Sequence, residues 1–297
     1  MRHALIALCL ATAACGSPPA GKAASQDNRI PVWTLTGLAD PESVALAADG
    51  RSLYVANVAG EGDVKDGNGF ISRVSLDGKM LEREWVKGLD APKGAIVKGG
   101  RLFVSDIDQL VEIDAATAKV VARYPVPGAK FLNDVAVAPD GTVLVADSGT
   151  ARILQLKDGA VSVWSADPEL RSVNGLLPEA DRLLVTTMEG KFLAFDYGSK
   201  AVKVLAKDLG QADGVARAVG DSYFVSEWPG RLFLVAPDGT SRTLFDSRAQ
   251  ETYINDFIKV GDLLIIPSWK PGMLRAYRIP MMHLVEAAPA KAQRAAG

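Results

Sequence analysis

Cysteine and histidine are almost missing from this sequence. Only two cysteines and two histidines occur among its 297 residues. Cys9, Cys15 and His3 stand close to the start, and His283 stands in a closing Ala-rich stretch. The body of the chain can therefore form no disulfide. It also lacks the residues of a Ser-His-Asp triad, a Cys-His pair or a His-rich zinc site.

An excess of positive charge and a clear amphipathic helix are missing as well. The 33 Lys and Arg residues are balanced by 35 Asp and Glu residues, which gives a net charge of −2. Because a nucleic-acid binder presents a basic face, we expect no nucleic-acid partner. The length suits one β-rich domain, and we expect a monomer.

The first thirty residues have the character of an export signal. The apolar run from Ala4 to Ala14 is too short to span a bilayer permanently, and small residues precede Cys15 as in a bacterial lipoprotein cleavage box. We predict a signal peptide over 1–15 with lipidated Cys15, and a flexible tether over 16–29. The protein would then be periplasmic and held at the outer membrane by lipid alone, although ordinary secretion with cleavage nearby stays open. The domain would cover 30–280, and the tail 281–297 is expected to be disordered.

The body repeats one pattern six times. In FLNDVAVAPDGTVLVADSG, residues 131–149, an Asp-Gly turn joins two apolar strands into a hairpin, but Asn133 and Asp134 are poor strand formers at the start of the first strand. Each repeat opens with such a polar residue, here called an anchor, followed about a dozen residues later by a second strand of the type Leu-Phe-Val-Ser. The six anchors are Glu42, Lys93, Asn133, Asn174, Asp213 and Asn255.

The period predicts the fold. Successive anchors are about forty residues apart, except for a longer first step that contains the Gly- and Asp-rich insertion Glu61 to Gly69. About four short strands per repeat at this period indicate an all-β, six-bladed β-propeller with four-stranded blades. We expect a strand over Val32 to Leu35 to complete the last blade and close the ring.

In a propeller the first strand of each blade lines the central channel, so the anchors should meet at one mouth. Carboxylate and amide oxygens suit one hard divalent cation, with calcium first and manganese, magnesium or zinc as alternatives. Glu42, Asn133, Asn174 and Asp213 are a plausible ligand set, completed by water. A ring of polar groups that satisfy one another and ordered water is an equal alternative, in which Lys93 neutralises the acids.

The order Glu, Asn-Asp, Asn-Gly, Asp-Gly at blade spacing resembles the regucalcin/gluconolactonase family of six-bladed propellers over about residues 36–280. The resemblance implies that the four residues named above bind one metal, that Asp213 is also the general base, and that the substrate is a lactone or ester. Two positions depart from the family pattern. Phe131 stands where the family has a substrate-contacting Arg, and Lys93 adds a cation, which together suggest a more apolar or anionic ligand than a sugar lactone.

Further residues are expected near the channel. These are Asp134 and Asp256, which follow the anchors Asn133 and Asn255, the residues just after the second strands (Asn57, Asp106, Asp147, Thr187, Glu227 and Ser268), and Trp228 and Trp269. The two tryptophans could stack on a ring-shaped ligand, although packing between neighbouring blades is the simpler explanation. The insertion lacks the spacing of an EF-hand and is interpreted as a loop over the channel mouth.

Two functions compete, and a propeller fold alone does not choose between them. The first is a metal-dependent, gluconolactonase-like hydrolase that uses metal-activated water. The second is a non-catalytic, lipid-anchored module that binds a protein, a peptide or a small ligand. A quinone-dependent dehydrogenase is a distant third because the body of the chain lacks a catalytic His.

Overall fold

The computed structural model describes residues 30–279, and these residues form a six-bladed β-propeller. The predicted signal peptide, Cys15, the tether and the Ala-rich tail 281–297 lie outside the described residues. Each blade is a four-stranded antiparallel sheet. Among the described residues, helical structure is limited to two 3₁₀ turns, Pro168–Leu170 and Arg248–Gln250. Among residues 30–279 no helix has the length and apolarity needed to cross a bilayer.

The strands of the first three blades follow one another from the channel outward. Blade one consists of β2 (Pro41–Leu46), β3 (Ser52–Asn57), β4 (Gly69–Ser75) and β5 (Met80–Leu89). Blade two consists of β6 (Pro92–Lys98), β7 (Arg101–Asp106), β8 (Gln109–Asp114) and β9 (Lys119–Pro125). Blade three consists of β10 (Leu132–Val137), β11 (Val143–Asp147), β12 (Arg152–Lys157) and β13 (Ala160–Ser165).

Blades four and five repeat this order, and the sixth is completed from the start of the domain. Blade four consists of β14 (Val173–Pro178), β15 (Arg182–Thr187), β16 (Lys191–Asp196) and β17 (Val202–Ala206). Blade five consists of β18 (Gln211–Arg217), β19 (Tyr223–Trp228), β20 (Arg231–Val235) and β21 (Ser241–Asp246). Blade six consists of β22 (Ile258–Val260), β23 (Leu263–Ser268), β24 (Met273–Arg278) and β1 (Trp33–Thr36).

The predicted ring closure is confirmed. Strand β1 pairs antiparallel with β24, with Leu35 opposite Leu274. The indole Nε1 of Trp33 also donates a hydrogen bond to the carbonyl of Leu76, 3.1 Å away in blade one. The N-terminal strand therefore completes one blade and contacts the next.

The core lies between neighbouring blades rather than at one centre. Each blade presents alternate apolar side chains to the next, as between blades five and six, where Phe224, Leu232 and Phe245 belong to one buried cluster with Phe257 and Tyr277. Burial of one such side chain stabilises the fold by about 1.5–3 kcal/mol. Because the blades pack on both faces, the central channel and the loops at its mouths remain available for a site.

Candidate functional site

A β-bulge marks the anchor in five of the six blades. The strand register shifts between Pro41 and Ser43 and between Pro92 and Ala95, and it shifts in the same way at the anchors of blades three, four and five. A bulge bends a strand and re-aims a side chain. It therefore explains why polar residues that are poor strand formers stand where these strands begin.

The anchors are buried at one mouth of the channel. Glu42, Asn133, Asn174, Asp213 and Asn255 are each 3–5% exposed. The sixth blade differs from the prediction because its inner strand begins only at Ile258, so Asn255 and Asp256 lie in the preceding loop. The side-chain Oδ1 of Asn255 accepts a hydrogen bond from the backbone N–H of Trp269 at 3.1 Å.

Hydroxyl groups of the preceding blade hold the backbone at several anchors. Ser43 donates to the carbonyl of Lys93, Ser105 donates to the carbonyl of Asn133, and Thr186 donates to the carbonyl of Asp213. The sequence analysis did not identify these residues. The fixed carbonyls orient side chains that would otherwise move independently.

A pairing of glycine and hydroxyl residues provides the sequence signal for this network. In blades two, four and five the anchor is followed by Gly, and its N–H donates to a hydroxyl on the second strand at 2.8–3.0 Å. The pairs are Gly94 with Ser105, Gly175 with Thr186, and Gly214 with Ser226. The other three blades have Ser43, Asp134 and Asp256 at the glycine position, and Ala56, Ala146 and Pro267 at the hydroxyl position.

Three oxygen atoms of the predicted ligand set have no hydrogen-bond donor. Within residues 30–279, Glu42 Oε2, Asn174 Oδ1 and Asp213 Oδ1 are buried and receive no hydrogen bond. The fourth predicted ligand, Asn133, directs its Nδ2 toward Ser148 Oγ at 3.4 Å. Buried polar atoms are nearly always partnered by protein groups, ordered water or ions, so these three oxygens on blades one, four and five are free to accept a hydrogen bond or to bind a cation.

The site has an excess of buried carboxyl groups. Burial and the neighbouring Asp213 raise the pKa of Glu42 well above its usual value. Burial and the neighbouring Asp134 raise the pKa of Asp213 to about 7. Burial likewise raises the pKa of Asp134 to about 7, and that of Asp256 well above its usual value. The carboxyl groups repel one another, and a cation between them would remove the conflict.

Lys93 is buried but does not form its hydrogen bonds with these acids. Its Nζ donates to the carbonyls of Gly62 and Ala91, and it lies 4.2 Å from the ring centroid of Phe131. Burial lowers the pKa of Lys93 to about 8, although Glu42 counteracts the shift. Because Gly62 belongs to the insertion, this loop contacts the anchor of blade two.

Asp134 and Asp256 line a cavity of about 470 Å³ in the channel, whose other lining residues come from the inner strands of all six blades. The two oxygens of Asp134 accept hydrogen bonds from the backbone N–H groups of Val135 at 2.6 Å and Leu176 at 2.7 Å. Asp134 therefore joins blade three to blade four. Its oxygens are already partnered, unlike those of the ligand set.

At the ends of the second strands of blades one and two, Asn57 and Asp106 are completely buried. Asp106 accepts hydrogen bonds from the backbone N–H groups of Asp90 and Ala91, and Asn57 accepts one from Ala39. These side chains hold the loop that leads to an inner strand. Their role is to position the anchors, because their polar atoms are used by backbone groups.

The two tryptophans have different surroundings. Trp228 packs edge-on against Tyr253, with ring centroids 5.2 Å apart. Trp269 packs instead against a small cluster of Val58, Ala91 and Ile107. They do not form the paired wall that was considered from the sequence.

Within residues 30–279, no three His, Cys, Asp or Glu side chains are grouped as a metal centre. The candidate set has a different composition, since two of its four members are asparagines. Its four members lie on the inner strands β2, β10, β14 and β18.

Solved structures with the same fold are distant in sequence. Streptogramin B lyase is 9% identical, with a TM-score of 0.61 over 83% of this chain and 97% of that chain. A catalytically inactive virginiamycin B lyase from Staphylococcus aureus with quinupristin is 10% identical, with a TM-score of 0.57 over 83% and 99%. A chain of the nidogen/laminin complex is 16% identical, with a TM-score of 0.59 over 73% and 83%. At these identities the similarity shows the fold alone.

A family comparison gives a more specific result. No curated protein matches this chain. A family model described as outer membrane protein assembly factor BamB matches residues 32–208, which is more than half of the chain. The comparisons thus support a propeller family without singling out the regucalcin/gluconolactonase group, and the chain belongs to the family described as outer membrane protein assembly factor BamB.

Proposed function

We propose that this protein is a divalent-cation-dependent hydrolase of a lactone or ester, with its site at the channel mouth. One observation carries the proposal. Glu42 Oε2, Asn174 Oδ1 and Asp213 Oδ1 are buried without a hydrogen-bond donor among the described residues, and each comes from a different blade. These are three of the four side chains that the sequence predicts as ligands.

The residues fit a hard divalent cation. Carboxylate and amide oxygens are typical ligands of calcium, and Asn133 would provide the fourth. Four carboxyl groups interact here, those of Glu42, Asp134, Asp213 and Asp256, while Lys93 directs its hydrogen bonds to carbonyl groups. A cation would compensate the negative charge of these carboxyl groups. It would also bind the unpartnered oxygens of Glu42, Asn174 and Asp213.

A bound divalent cation would polarise a carbonyl group and acidify water. Asp213 would accept a proton from the attacking water while the water oxygen bonds to the carbonyl carbon. This proton transfer can contribute about 10²–10⁴ in rate. The ester C–O bond then breaks and the proton passes to the leaving oxygen. The products are an acid and an alcohol, or one hydroxy acid from a lactone.

The thermal stability of the purified protein tests the cation. We expect EDTA to lower Tm and calcium to restore it saturably, by an amount that corresponds to about 2.7 kcal/mol at a hundredfold excess over Kd. Manganese, magnesium and zinc are compared in the same way. Asp213→Ala should abolish the response, whereas Asp221→Ala, at a side chain that is 83% exposed, should retain it. A metal-stripped, folded protein that responds to no cation would contradict the proposal.

A second candidate is a non-catalytic binding module, and the family membership favours it. The matching family is described as an assembly factor of outer membrane proteins. Under this alternative a protein or peptide partner would bind Asp213→Ala as tightly as the unmodified protein, and no lactone or ester would be hydrolysed. We do not propose the activity of the structurally similar lyases for this chain. The inactive virginiamycin B lyase carries alanine in place of a histidine, and residues 30–279 contain no histidine.

The leader supports export to the periplasm with lipid attachment at Cys15. The family description refers to the outer membrane, which agrees with this location. Labelled palmitate should enter the unmodified protein and not Cys15→Ser. Labelling that persists in the variant would contradict the anchor, and export without labelling would indicate ordinary secretion.

A further inference from the structure

A groove of about 780 Å³ separates blades six and one on the face of the channel that carries the anchors. Its lining includes Leu38, Asp40, Tyr253, Trp269, Lys270 and Gly272. This volume lies within the range of small-molecule sites, which is about 300–1,000 Å³. The groove is distinct from the anchor ring, and the proposed hydrolysis does not use its residues.

Two of the loops that line the groove lead directly into anchors of the proposed site. Asp40 stands two residues before the anchor Glu42, and Tyr253 stands two residues before the anchor Asn255. The backbone N–H of Trp269 donates to the side chain of Asn255 at 3.1 Å. A substrate whose carbonyl group lies at the anchors can therefore extend into this groove.

The groove lining combines apolar and aromatic side chains with exposed polar side chains. Leu38 is buried, and Tyr253 and Trp269 are half-buried, whereas Gln250, Glu251 and Lys270 are exposed. The inner carboxylate, that of Asp40, already accepts a hydrogen bond from the backbone of Gly60.

The aromatic walls are held in place by their own contacts. Trp269 packs against Val58, Ala91 and Ile107, and Tyr253 packs edge-on against Trp228. Walls that are already ordered lose little entropy when a flat ring binds, which increases affinity. The lining residues carry two carboxylates and one ammonium group, so the groove does not favour a strongly charged ligand.

We propose that this groove binds an uncharged aromatic ring, attached to the ester or lactone group that the anchors hydrolyse. The inference rests on the proposed function and names its substrate class.

Matched lactones test the groove with the full-length protein and calcium. Dihydrocoumarin and δ-valerolactone share a six-membered lactone ring and differ by a fused benzene ring. The phenol released from dihydrocoumarin is a better leaving group than the alcohol released from δ-valerolactone, so the two rates are not compared directly. The readout is the change in kcat/KM that a variant causes for each lactone. We expect Trp269→Ala to lower kcat/KM about tenfold for dihydrocoumarin and less than twofold for δ-valerolactone. Trp164→Ala, in the outer strand β13, should change neither.

Equilibrium binding separates the groove from catalysis. Chroman is the unreactive ether analogue of dihydrocoumarin, and tetrahydropyran is the analogue of δ-valerolactone. We expect calorimetry in EDTA to show that chroman binds the unmodified protein and Asp213→Ala equally, and Trp269→Ala about tenfold more weakly. Tetrahydropyran should bind none of them measurably.

Each outcome decides one of the two proposals. If Trp269→Ala affects both lactones equally or neither, the groove assignment is wrong while the hydrolase remains. Chroman binding without turnover of any lactone supports the groove and contradicts the hydrolase. Absence of chroman binding overturns the groove assignment. A Trp269-dependent preference for glucono-1,5-lactone would assign a saturated sugar ring and overturn the aromatic assignment.

Discussion

The hydroxyl of Thr186 in blade four donates a hydrogen bond to the backbone carbonyl of Asp213 in blade five. The side-chain oxygen of Thr186 also accepts a hydrogen bond from the N–H of Gly175 at 2.9 Å. One buried side chain thus joins a bulge in its own blade to the proposed base of the next blade. The geometry of the site depends on this contact between blades as well as on the four proposed ligands.

Replacement of Thr186 should weaken metal binding without removing a ligand. Thr186→Val leaves the carbonyl of Asp213 and the N–H of Gly175 unpartnered, so we expect a loss of about 1–3 kcal/mol in the free energy of unfolding. Calcium affinity should fall roughly 10–100-fold, as for other residues that orient metal ligands. Denaturant unfolding and calcium calorimetry measure the two effects.

Thr186→Ser is the matched control, because it retains the hydroxyl. It should bind calcium nearly as the unmodified protein does. If Thr186→Val lost stability but kept its calcium affinity, the hydroxyl would serve the fold alone, and its proposed role in orienting Asp213 would be wrong.

The fold was predictable because its signal is repeated. Six hairpins at a period near forty residues identify the propeller, and the strand Val32 to Leu35 accounts for ring closure. The anchors were identified for the same reason, since an isolated Asn133 at the start of a strand carries little information. Because six equivalent polar residues occur at the same position of each repeat, the propeller fold brings them together around one channel.

Features that depend on contacts between blades were not predictable in this way. Sequence spacing does not show whether the ammonium group of Lys93 faces the acids or the carbonyl of Gly62, because the insertion has no counterpart in the other blades. The start of the sixth inner strand at Ile258 was also missed. The pairing of Gly175 with Thr186 was visible in the sequence, but its meaning requires knowledge of which strands are adjacent.

A methyl group at Gly175 should destabilise the ring. A Cβ there would lie 2.7 Å from Thr186 Oγ1 and even closer to the carbonyl oxygen of Asp213. We expect Gly175→Ala to cost about 1–3 kcal/mol and to weaken the calcium response, because the two inner strands must separate. Urea unfolding with and without calcium measures both effects.

Gly198→Ala provides the comparison, since the nearest atom to its Cβ would be 3.5 Å away. Its unfolding free energy should stay within about 0.5 kcal/mol of that of the unmodified protein. Equal losses at the two glycines would show that the close approach of the inner strands is not the cause.

The metal-free protein should lose stability as the pH rises from 5 to 7.5. Burial raises the pKa of both Asp134 and Asp213 to about 7, so the folded state holds more protons than the unfolded state between about pH 4 and 7. Their favourable contribution is complete below about pH 4 and is lost as the pH rises through 7. Each group can contribute a slope of up to about 1.4 kcal/mol per pH unit.

Unfolding in EDTA at a series of pH values measures this slope. Asp213→Asn should reduce it because one titrating group is removed, and saturating calcium should reduce it because the cation stabilises the ionised carboxylates. A metal-free protein that becomes more stable between pH 5 and 7.5 would contradict the assigned direction of these pKa shifts.

Removal of the charge on Lys93 should strengthen calcium binding. The buried ammonium group interacts electrostatically with Glu42, and its pKa of about 8 leaves it mostly protonated at pH 7. The ammonium group of Lys93 would repel a calcium ion beside Glu42. We expect Lys93→Met, which keeps an unbranched side chain beside Phe131, to lower the calcium Kd by roughly three- to tenfold, as about 1 kcal/mol of repulsion predicts.

Lys98 at the exposed end of the same strand provides the control, and Lys98→Met should leave the calcium Kd unchanged within twofold. The alternative of a self-satisfied polar ring predicts the opposite result. If Lys93 neutralises the acids in place of a metal, Lys93→Met should unfold at a lower temperature in EDTA and gain nothing from calcium. A stable Lys93→Met protein with tighter calcium binding is explained only by a cation that shares the channel mouth with this ammonium group.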